Sequence, residues 1–417
     1  MMRLAALGIR GKSCLLSRSL GGSSIGVASA IGRGEGRGSS AIHTFKEKAF
    51  SVWTGEDERR FPPQHQESQP GKEYLMNPKP QFSNPNYKPS GKLHGKVALV
   101  TGGDSGIGRS VCYHFAMEGA TVAFTYVKGV EEIDADDTLK IIKESKGEGS
   151  CDPIAIPTDL RYSKNCKDVV DEVIATYGRI DILVNHPAMQ YYVYSYTLEE
   201  ITEERLEYAF RTNIFSYFFM SRHALEHMKE GSVIINTASG IAYNPSPPSW
   251  LDYISTKGAI VSFTRGLGLH LVDKKIRVNG VAPGPIWTPL EASALNDKDI
   301  ATFGSSVPMN RAGQPYEVAP SYVFLASEDS SYFTGQVMHP NGGFMVNGFN
   351  LGSNIYTNTP VGCFIFQTKT HAQDAPFQNP KSPISSRSFS SSPIALTGVK
   401  QSFEFSVCSQ TPVIICV

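Results

Sequence analysis

This 417-residue sequence lacks several features that would indicate other classes of protein. Lysine plus arginine and aspartate plus glutamate both number 39, so the formal net charge is zero. That balance gives no sign of a nucleic-acid binder or of a polybasic membrane protein. No apolar run approaches the roughly 18 residues needed to span a bilayer. We therefore predict neither a nucleic-acid partner nor a membrane partner.

The seven cysteines lack the pairing that a disulfide framework or a zinc site requires. Their number is odd, they are scattered from Cys14 to Cys416, and none forms a Cys-x-x-Cys motif. This distribution favours reduced thiols and indicates no metal site. What the sequence does have is 41% hydrophobic and 19% charged residues, which is typical of a globular core with some low-complexity sequence attached.

The two ends of the chain differ in composition from the middle. Residues 1–45 contain five arginines, many small residues and a single acid, Glu35. This composition predicts an organellar transit peptide, for a chloroplast or alternatively a mitochondrion, although a disordered tail without a targeting role has the same features. Residues 46–92 predict an extended proline-rich arm, and residues 349–417 predict a disordered low-complexity tail.

The middle of the chain, residues 93–348, alternates short apolar runs with helical segments. Seven runs predict strands, beginning with KVALVTG and ATVAFTY and ending with GQVMHPNGG. The segments between them predict crossover helices, including one long helix over about 202–229. Such alternation with right-handed crossovers predicts one α/β domain, a single Rossmann-type doubly wound parallel sheet of about seven strands.

A glycine-rich turn, TGGDSGIGR over residues 101–109, connects the first predicted strand to the first predicted helix. Missing side chains permit a tight turn and let backbone N–H groups approach a pyrophosphate, and the helix N-terminus adds its positive dipole end. A glycine turn also serves geometry alone. In this strand–turn–helix setting we predict a dinucleotide site. Its residues are Gly102, Asp104, Ser105, Gly106, Ile107, Gly108 and Arg109.

The second predicted strand ends without a carboxylate, because residues 125–128 read TYVK. A site for NAD usually places an acid there, which accepts hydrogen bonds from the ribose. Nothing at this strand end repels a 2′-phosphate, and Lys128 or Arg109 could attract it. We therefore predict NADPH or NADP as the cofactor, with NAD as the alternative, and place Tyr126 and Lys128 in the site. A solvated surface charge is the simpler interpretation of Lys128.

The stretch LDYISTKGA contains Tyr253 and Lys257, which lie four residues apart and so share one face of a helix. Hydride transfer to a carbonyl leaves negative charge on oxygen, which requires a proton donor. Free tyrosine has a pKa of about 10, and a lysine ammonium one turn away favours the tyrosinate. We expect Tyr253 to be the general acid in reduction and the base in oxidation. The pair on its own could arise by chance.

Four features together resemble the short-chain dehydrogenase/reductase family over about residues 93–348. They are the TGGDSGIG turn, Asn185 after the fourth strand, Ser239 after the fifth and the Tyr253-x-x-x-Lys257 pair. Segments such as GKVALVTGGDSGIGR and QPGKEYLMNPKPQF are similar to those of the plant NADPH-dependent aldehyde reductases, also described as homologues of glucose and ribitol dehydrogenase. The resemblance implies reduction of small aldehydes or sugar-like carbonyls, a homotetramer and, where a transit peptide is present, the chloroplast.

The resemblance also implies the roles of individual residues. Lys257 tunes Tyr253 and binds the nicotinamide ribose, Ser239 holds the substrate oxygen, and Asn213 supports a proton relay. For the cofactor, the resemblance implies contacts from Asp159, Leu160, Asn185, Pro283, Gly284, Ile286 and Thr288. The simpler interpretations are a turn or helix cap for Ser239 and Asp159, a polar helix contact for Asn213, and a turn for Gly284.

One segment departs from the family pattern. Residues 185–188 read NHPA, where the family usually has Asn-Asn-Ala-Gly or Asn-Asn-Ala-Ala. Proline removes a backbone donor, fixes φ and biases His186 towards extended geometry, and the hydrogen bonds of a second asparagine are lost. This departure leaves a non-catalytic cofactor-binding protein as one alternative function. An NAD-linked polyol or sugar dehydrogenase that works in the oxidative direction is another.

Overall fold

The structure is a computed structural model that describes residues 61–191, 197–245, 250–344 and 346. The predicted transit peptide over residues 1–45, the beginning of the arm and the predicted tail over residues 349–417 lie outside the described residues. Within the described part of the chain, no helix combines the length and the hydropathy that crossing a membrane requires.

Seven parallel strands form one sheet in the order β3-β2-β1-β4-β5-β6-β7. The strands are β1 (Val97–Val100), β2 (Thr121–Tyr126), β3 (Ile154–Pro157), β4 (Ile182–Asn185), β5 (Val233–Thr237), β6 (Arg277–Val281) and β7 (Val337–Met338). The chain order reverses between β1 and β4, and a crevice opens outside the carboxyl ends of the strands at such a switch point. The predicted doubly wound parallel sheet is confirmed.

Helices connect the strands. They are α1 (Gly106–Met117), α2 (Glu132–Ser145), α3 (Ser163–Tyr177), α4 (Glu203–Phe210), α5 (Ser216–Ala224), α6 (Leu251–His270), α7 (Pro289–Ala294), α8 (Asp297–Ala301) and α9 (Pro315–Ala326). The long helix predicted over 202–229 is two helices, α4 and α5, joined by a π-helical turn over Arg211–Phe215. Helices α7 and α8, which follow β6, are additional to the predicted set.

Strand β1 shows why both faces of the sheet are covered. Ala98 and Val100 pack in one hydrophobic core with residues of α1 and α9, whereas Val97 and Leu99 pack in a second core with residues of α3 and α5. All four side chains are buried. Because successive side chains of a strand point to opposite faces, a parallel sheet with helices on both sides requires this continuous apolar run.

The described part of the arm packs against the domain. Phe61 stacks on Trp287 with ring centroids 3.7 Å apart, and the Trp287 Nε1 donates to the carbonyl oxygen of Pro78 at 2.9 Å. Met76 is buried in the same cluster. The described part of the arm contains one 3₁₀ turn, Glu73–Leu75, where the sequence predicted neither helix nor strand. Burial of these side chains makes residues 61–92 part of the folded domain.

Candidate active site

The glycine-rich turn brings the start of α1 close to the end of β1. Gly102 has a φ of 67°, in the left-handed region that favours glycine. A Cβ atom at Gly108 would lie 1.9 Å from the carbonyl oxygen of Gly102, so the helix packs against the strand end only without a side chain. The turn lines a cleft of about 1110 Å³. The positive helix end and the missing side chains fit a dinucleotide pyrophosphate.

Most of the residues predicted to bind the cofactor line this cleft. They are Gly102, Asp104, Ser105, Gly106, Ile107, Tyr126, Asp159, Leu160, Pro283, Gly284, Ile286 and Thr288. Three of the residues predicted to be catalytic, Ser239, Tyr253 and Lys257, line it as well. The structure does not bring Gly108, Arg109, Lys128, Asn185 or Asn213 to the cleft wall. Of these five, Lys128 is exposed and the others are buried.

Arg109 is bound to carboxylates of the protein itself. Its Nη1 donates to Glu73 Oε1 at 2.7 Å, and its Nη2 donates to Asp134 Oδ1 at 3.2 Å. The expectation that Arg109 attracts a 2′-phosphate is corrected, because two carboxylates already bind its buried guanidinium. Glu73 Oε2 also accepts a hydrogen bond from the Gly106 N–H at 2.6 Å. The arm therefore holds the glycine-rich turn in place, a contact that the sequence analysis missed.

Two carboxyl groups, Asp104 and Glu131, line the cleft near the end of β2. Glu131 follows the strand by a short loop, and its Oε2 accepts a hydrogen bond from the Val127 N–H at 2.7 Å. Burial and Asp104 raise the pKa of Glu131 to about 9, and burial raises the pKa of Asp104 to about 6. The pair therefore holds a proton at neutral pH. The strand end lacks an acid, as the sequence shows, but the loop supplies one.

Positive charge reaches this end of the cleft through Arg161. Its Nε donates to Asp159 Oδ1 at 2.9 Å and its Nη2 donates to Asp159 Oδ2 at 2.6 Å. The guanidinium also lies 4.3 Å from the centre of the Tyr208 ring. All three residues line the cleft. The sequence predicted this charge at Lys128 or Arg109, whereas the structure brings Arg161 to the cleft, two residues beyond the predicted Asp159.

The predicted tyrosine–lysine pair lies at the start of α6, near Ser239 in the segment that follows β5. Tyr253 and Lys257 are 8% and 1% exposed, and the Lys257 Nζ lies 5.4 Å from the centre of the Tyr253 ring. The same Nζ donates to the Thr237 carbonyl oxygen at 3.3 Å. Ser239 Oγ accepts a hydrogen bond from the Ile241 N–H at 3.3 Å and also contacts Tyr253. A hydroxyl, a phenol and an amine thus meet in one cleft.

The protein's own groups do not produce the tyrosinate that the sequence predicted. Burial and the charge of Glu291 raise the pKa of Tyr253, and together they outweigh its hydrogen bond with Ser239. Burial also lowers the pKa of Lys257 to about 7. The expected depression of the tyrosine pKa by its helical neighbour is therefore corrected. A buried lysine loses much of the charge that would favour the tyrosinate.

The two predicted asparagines fix the polypeptide around the cleft. In the π-helical turn, Asn213 Oδ1 accepts a hydrogen bond from the Met189 N–H at 2.8 Å, and its Nδ2 donates to the Met189 carbonyl oxygen at 2.9 Å. Asn185 Nδ2 donates to Asn236 Oδ1 at 2.9 Å, which joins β4 to β5. Single π-helical turns within helices are frequent at functional sites. Here the turn attaches α4 and α5 to the loop after β4.

The unusual His186-Pro187 segment lines the cleft beside the glycine-rich turn. The His186 N–H donates to Thr101 Oγ1 at 2.9 Å, and the His186 Nδ1 lies 3.0 Å from Thr237 Oγ1. Burial and the charge of Lys257 lower the pKa of His186 to about 3, so the imidazole is neutral. The two threonine hydroxyls give this histidine hydrogen-bond partners in the loop that departs from the family pattern.

The segment after β6 lies between the arm and the glycine-rich turn. A Cβ atom at Gly71 would lie 2.1 Å from the Pro289 carbonyl oxygen, and one at Gly106 would lie 3.2 Å from the Thr288 Cβ. Gly71 itself lines the cleft, so the arm contributes to the wall. The Thr288-Pro289 pair has the proline-at-the-first-turn signal for α7.

The chain is similar to known proteins along most of the described domain. The family described as enoyl-(acyl carrier protein) reductase matches residues 102–345, more than half of the chain. The chain is 66% identical over 285 residues to NADPH-dependent aldehyde reductase 1, chloroplastic, of Arabidopsis thaliana, covering 68% of this chain and 98% of that protein. It is 64% identical over 289 residues to glucose and ribitol dehydrogenase of Daucus carota, covering 69% of this chain and 98% of that protein.

Solved structures share the fold. A short-chain dehydrogenase from Burkholderia cenocepacia J2315 in complex with NADP is 29% identical with a TM-score of 0.54, over 60% of this chain and 98% of that chain. A blue fluorescent protein from a metagenomic library in complex with NADPH is 30% identical with a TM-score of 0.55, over 61% of this chain and 100% of that chain. The chain therefore belongs to the short-chain dehydrogenase/reductase family, as its motifs predicted, and is an oxidoreductase.

Proposed function

We propose that this protein reduces aldehydes or sugar-like carbonyls to alcohols, with NADPH as the cofactor. The observation that carries the proposal is the meeting of Ser239, Tyr253 and Lys257 in the cleft that the glycine-rich turn also lines. The names of the Arabidopsis and carrot relatives support an aldehyde or sugar substrate. The relatives bound to NADP and NADPH support NADP(H) as the cofactor.

When bound, NADPH would supply a hydride to the carbonyl carbon, which leaves the C=O electron pair on the oxygen. Ser239 holds that oxygen through its hydroxyl, and Tyr253 donates the proton that completes the alcohol. The raised pKa of Tyr253 keeps its phenol protonated, which suits a proton donor. Lys257 would bind the nicotinamide ribose. Asn213 holds the loop after β4 through the Met189 backbone, and a relay of water beside that loop would return a proton to Tyr253.

The adenosine end of the cleft supports NADP(H) through two features. Arg161 brings a guanidinium to the wall, where it pairs with Asp159 but stays partly exposed, unlike Arg109, and arginine is well suited to phosphate recognition. The proton held between Asp104 and Glu131 reduces the negative charge that would repel a 2′-phosphate. The same two carboxyls favour the second candidate, an NAD-linked polyol dehydrogenase, because an acid near the ribose accepts its hydroxyl hydrogen bonds.

A kinetic comparison of the two cofactors tests this proposal. The full chain is assayed for NADPH and NADH oxidation with a panel of small aldehydes and open-chain sugars. We expect turnover with a higher kcat/KM for NADPH, and a loss of about 100-fold or more in kcat for Ser239→Ala because the oxyanion loses a donor. Binding of NADPH without turnover across the panel would support a non-catalytic protein instead.

We further propose that the protein self-associates, as a homotetramer. Phe215 and Phe218 are 39% and 52% exposed on the π-helical turn and α5. The Phe218 ring lies 4.2 Å from the ring of Phe263 on α6. Adjacent exposed aromatic rings favour coverage by another protein surface. Light scattering should give the tetramer mass for the wild type and a smaller mass for Phe218→Glu, and a monomeric wild type would contradict the proposal.

We propose delivery to the chloroplast, supported by the chloroplastic relative and by the composition of residues 1–45. Residues 1–60 fused to a fluorescent protein should carry it into plastids in plant cells. Accumulation of the fusion in mitochondria would favour the alternative, and a diffuse distribution would contradict targeting by this segment.

A further inference from the structure

The cleft contains a carboxyl group that the proposed reaction does not use. Glu291 lies in α7, the short helix after β6, and lines the cleft together with Ser239 and Tyr253. Within residues 61–344 as far as the structure describes them, its side chain has no hydrogen-bond or ion-pair partner. In its ionised form this carboxyl group raises the pKa of Tyr253. The carboxyl group is therefore close to the proposed proton donor.

Trp250 provides a second polar group at the same place. It precedes α6, and its ring lies edge-on to the Tyr253 ring at a centroid separation of 6.5 Å. Its Nε1 is buried and has no hydrogen-bond partner in the described part of the chain. Trp250 lines the same cleft as Glu291. An indole N–H can only donate, and a buried donor without an acceptor is costly, so a ligand oxygen in the cleft would satisfy it.

The wall of the same cleft mixes apolar residues with uncharged polar ones. It includes Asn244, Thr302, Ser305 and Ser306, with the aromatic ring of Phe303. The exposed Lys298 and Asp299 beside them carry opposite charges. Burial raises the pKa of Glu291 to about 8, so this group is largely a neutral carboxylic acid at pH 7. A neutral acid both donates and accepts hydrogen bonds, which suits alcohols rather than anions or ammonium groups.

We propose that Glu291 and the Trp250 Nε1 bind hydroxyl groups of the substrate while Ser239 and Tyr253 engage its carbonyl. The preferred substrates are then hydroxylated aldehydes of the sugar class rather than plain alkyl aldehydes. This inference rests on the proposed reductase function. An alkyl chain would displace water from both groups and leave them unpaired, and a site built to bind a hydroxyl discriminates against an analogue that lacks it.

Two aldehydes of equal length, glyceraldehyde and propionaldehyde, test the inference with the full chain and NADPH. We expect wild-type kcat/KM to be at least about tenfold higher for glyceraldehyde. Glu291→Leu should lower kcat/KM for glyceraldehyde by about 10- to 100-fold and for propionaldehyde by less than about threefold. Glu291→Gln, which still donates and accepts, should retain most of the preference. Trp250→Phe should change the ratio in the same direction as Glu291→Leu, by less.

Glu172→Leu, on the exposed surface of α3, is the matched control and should leave both substrates unchanged. Equal losses on the two substrates in both Glu291 variants would overturn the inference. A higher kcat/KM for a three-carbon aldehyde bearing an ammonium group would also overturn it, because Glu291 would then bind a cation. A separate result bears on the reductase mechanism: Tyr253→Phe that reduces both aldehydes at the wild-type rate would contradict it. The ratio of kcat/KM between the two aldehydes would still test the role of Glu291.

Discussion

The two ends of the cleft treat buried polar groups in opposite ways. Beside β1 and β2, Arg109 is bound by Glu73 and Asp134, and Glu73 also accepts the Gly106 N–H. Beside β5 and α6, the buried Trp250 Nε1 has no hydrogen-bond partner among the described residues. The half-buried Glu291 has neither a hydrogen bond nor an ion pair within the same residues. The first end is built to hold a fixed backbone shape for one cofactor, and the second leaves hydrogen-bonding capacity for a substrate.

This contrast separates stability from specificity. A buried ion pair that loses one member leaves an uncompensated charge, which costs stability. A polar group whose partner comes from a ligand lowers stability while that ligand is absent. Substituting such a group therefore leaves the fold intact and weakens ligand binding. Substitutions at the first end should therefore affect unfolding most, and substitutions at the second end should affect substrate choice most.

The largest expected effect is that of Arg109→Met. The free energy of unfolding should fall by about 3–5 kcal/mol, because Glu73 and Asp134 are left buried without their counter-charge. Chemical denaturation followed by circular dichroism measures the change. Arg222→Met, on the exposed face of α5, is the matched control and should change stability by less than about 0.5 kcal/mol. Equal losses of stability in the two variants would show that the buried ion pairs of Arg109 do not stabilise this end of the cleft.

Glu73→Ala should have the next largest effect. It removes the acceptor of the Gly106 N–H and one partner of Arg109, so we expect a loss of about 1–3 kcal/mol in the free energy of unfolding. The KM for NADPH should rise more than kcat falls, because the glycine-rich turn loses its support from the arm. Steady-state kinetics at varied NADPH tests this. A fall in kcat with an unchanged KM would show that Glu73 does not position the turn.

Glu291→Gln should change the pH dependence of stability. The pKa of Glu291 is raised from 4.5 to about 8, so the folded protein binds this proton more tightly than the unfolded chain does. The stability that this bound proton contributes is fully present below pH 4.5 and is lost as the pH rises through about 8. Tyr253, the neighbouring titratable group, stays protonated over this range. As the pH rises from 5 to 8, the Tm of the variant should increase relative to the Tm of the wild type. Tm curves that stay parallel would contradict this prediction.

The smallest expected effect is that of Glu131→Gln. Its carboxyl already holds a proton near neutrality, so the preference for NADPH over NADH should change by less than about threefold at pH 7. Above its pKa of about 9 the wild type gains a negative charge beside Asp104, which disfavours a 2′-phosphate. The NADPH preference should therefore weaken in the wild type at alkaline pH and not in the variant. Identical pH profiles would place Glu131 outside the 2′-phosphate site.

Local patterns were sufficient for the sheet and for the Tyr253–Lys257 pair, because apolar runs and a four-residue spacing are visible in a single segment. The contacts of Glu73 and Glu291 were missed because they join distant segments. Glu73 lies 36 residues from Arg109, and Glu291 lies 38 residues beyond Tyr253, after the rest of α6 and strand β6. The direction of the Tyr253 pKa was missed for the same reason, since burial and Glu291 outweigh the visible lysine.

Other features had signals of different strength. The interruption at Arg211–Phe215 had none that we can identify, because RTNIF contains neither proline nor glycine. The helix α7 could have been found, since Thr288 followed by Pro289 is a typical helix start. Glu131 could also have been considered, because it stands only five residues beyond the end of β2 and an acid near that position can reach the ribose.

Measurements of NADPH binding and of turnover in Tyr253→Phe test whether Tyr253 is the proton donor. Fluorescence titration gives the Kd for NADPH, and oxidation of NADPH with glyceraldehyde gives kcat. The account predicts a Kd within about twofold of the wild type and a kcat reduced by about 100-fold or more, because only the proton donor is removed. Tyr332→Phe, at an exposed tyrosine, should match the wild type in both. An unchanged kcat in Tyr253→Phe would contradict the account.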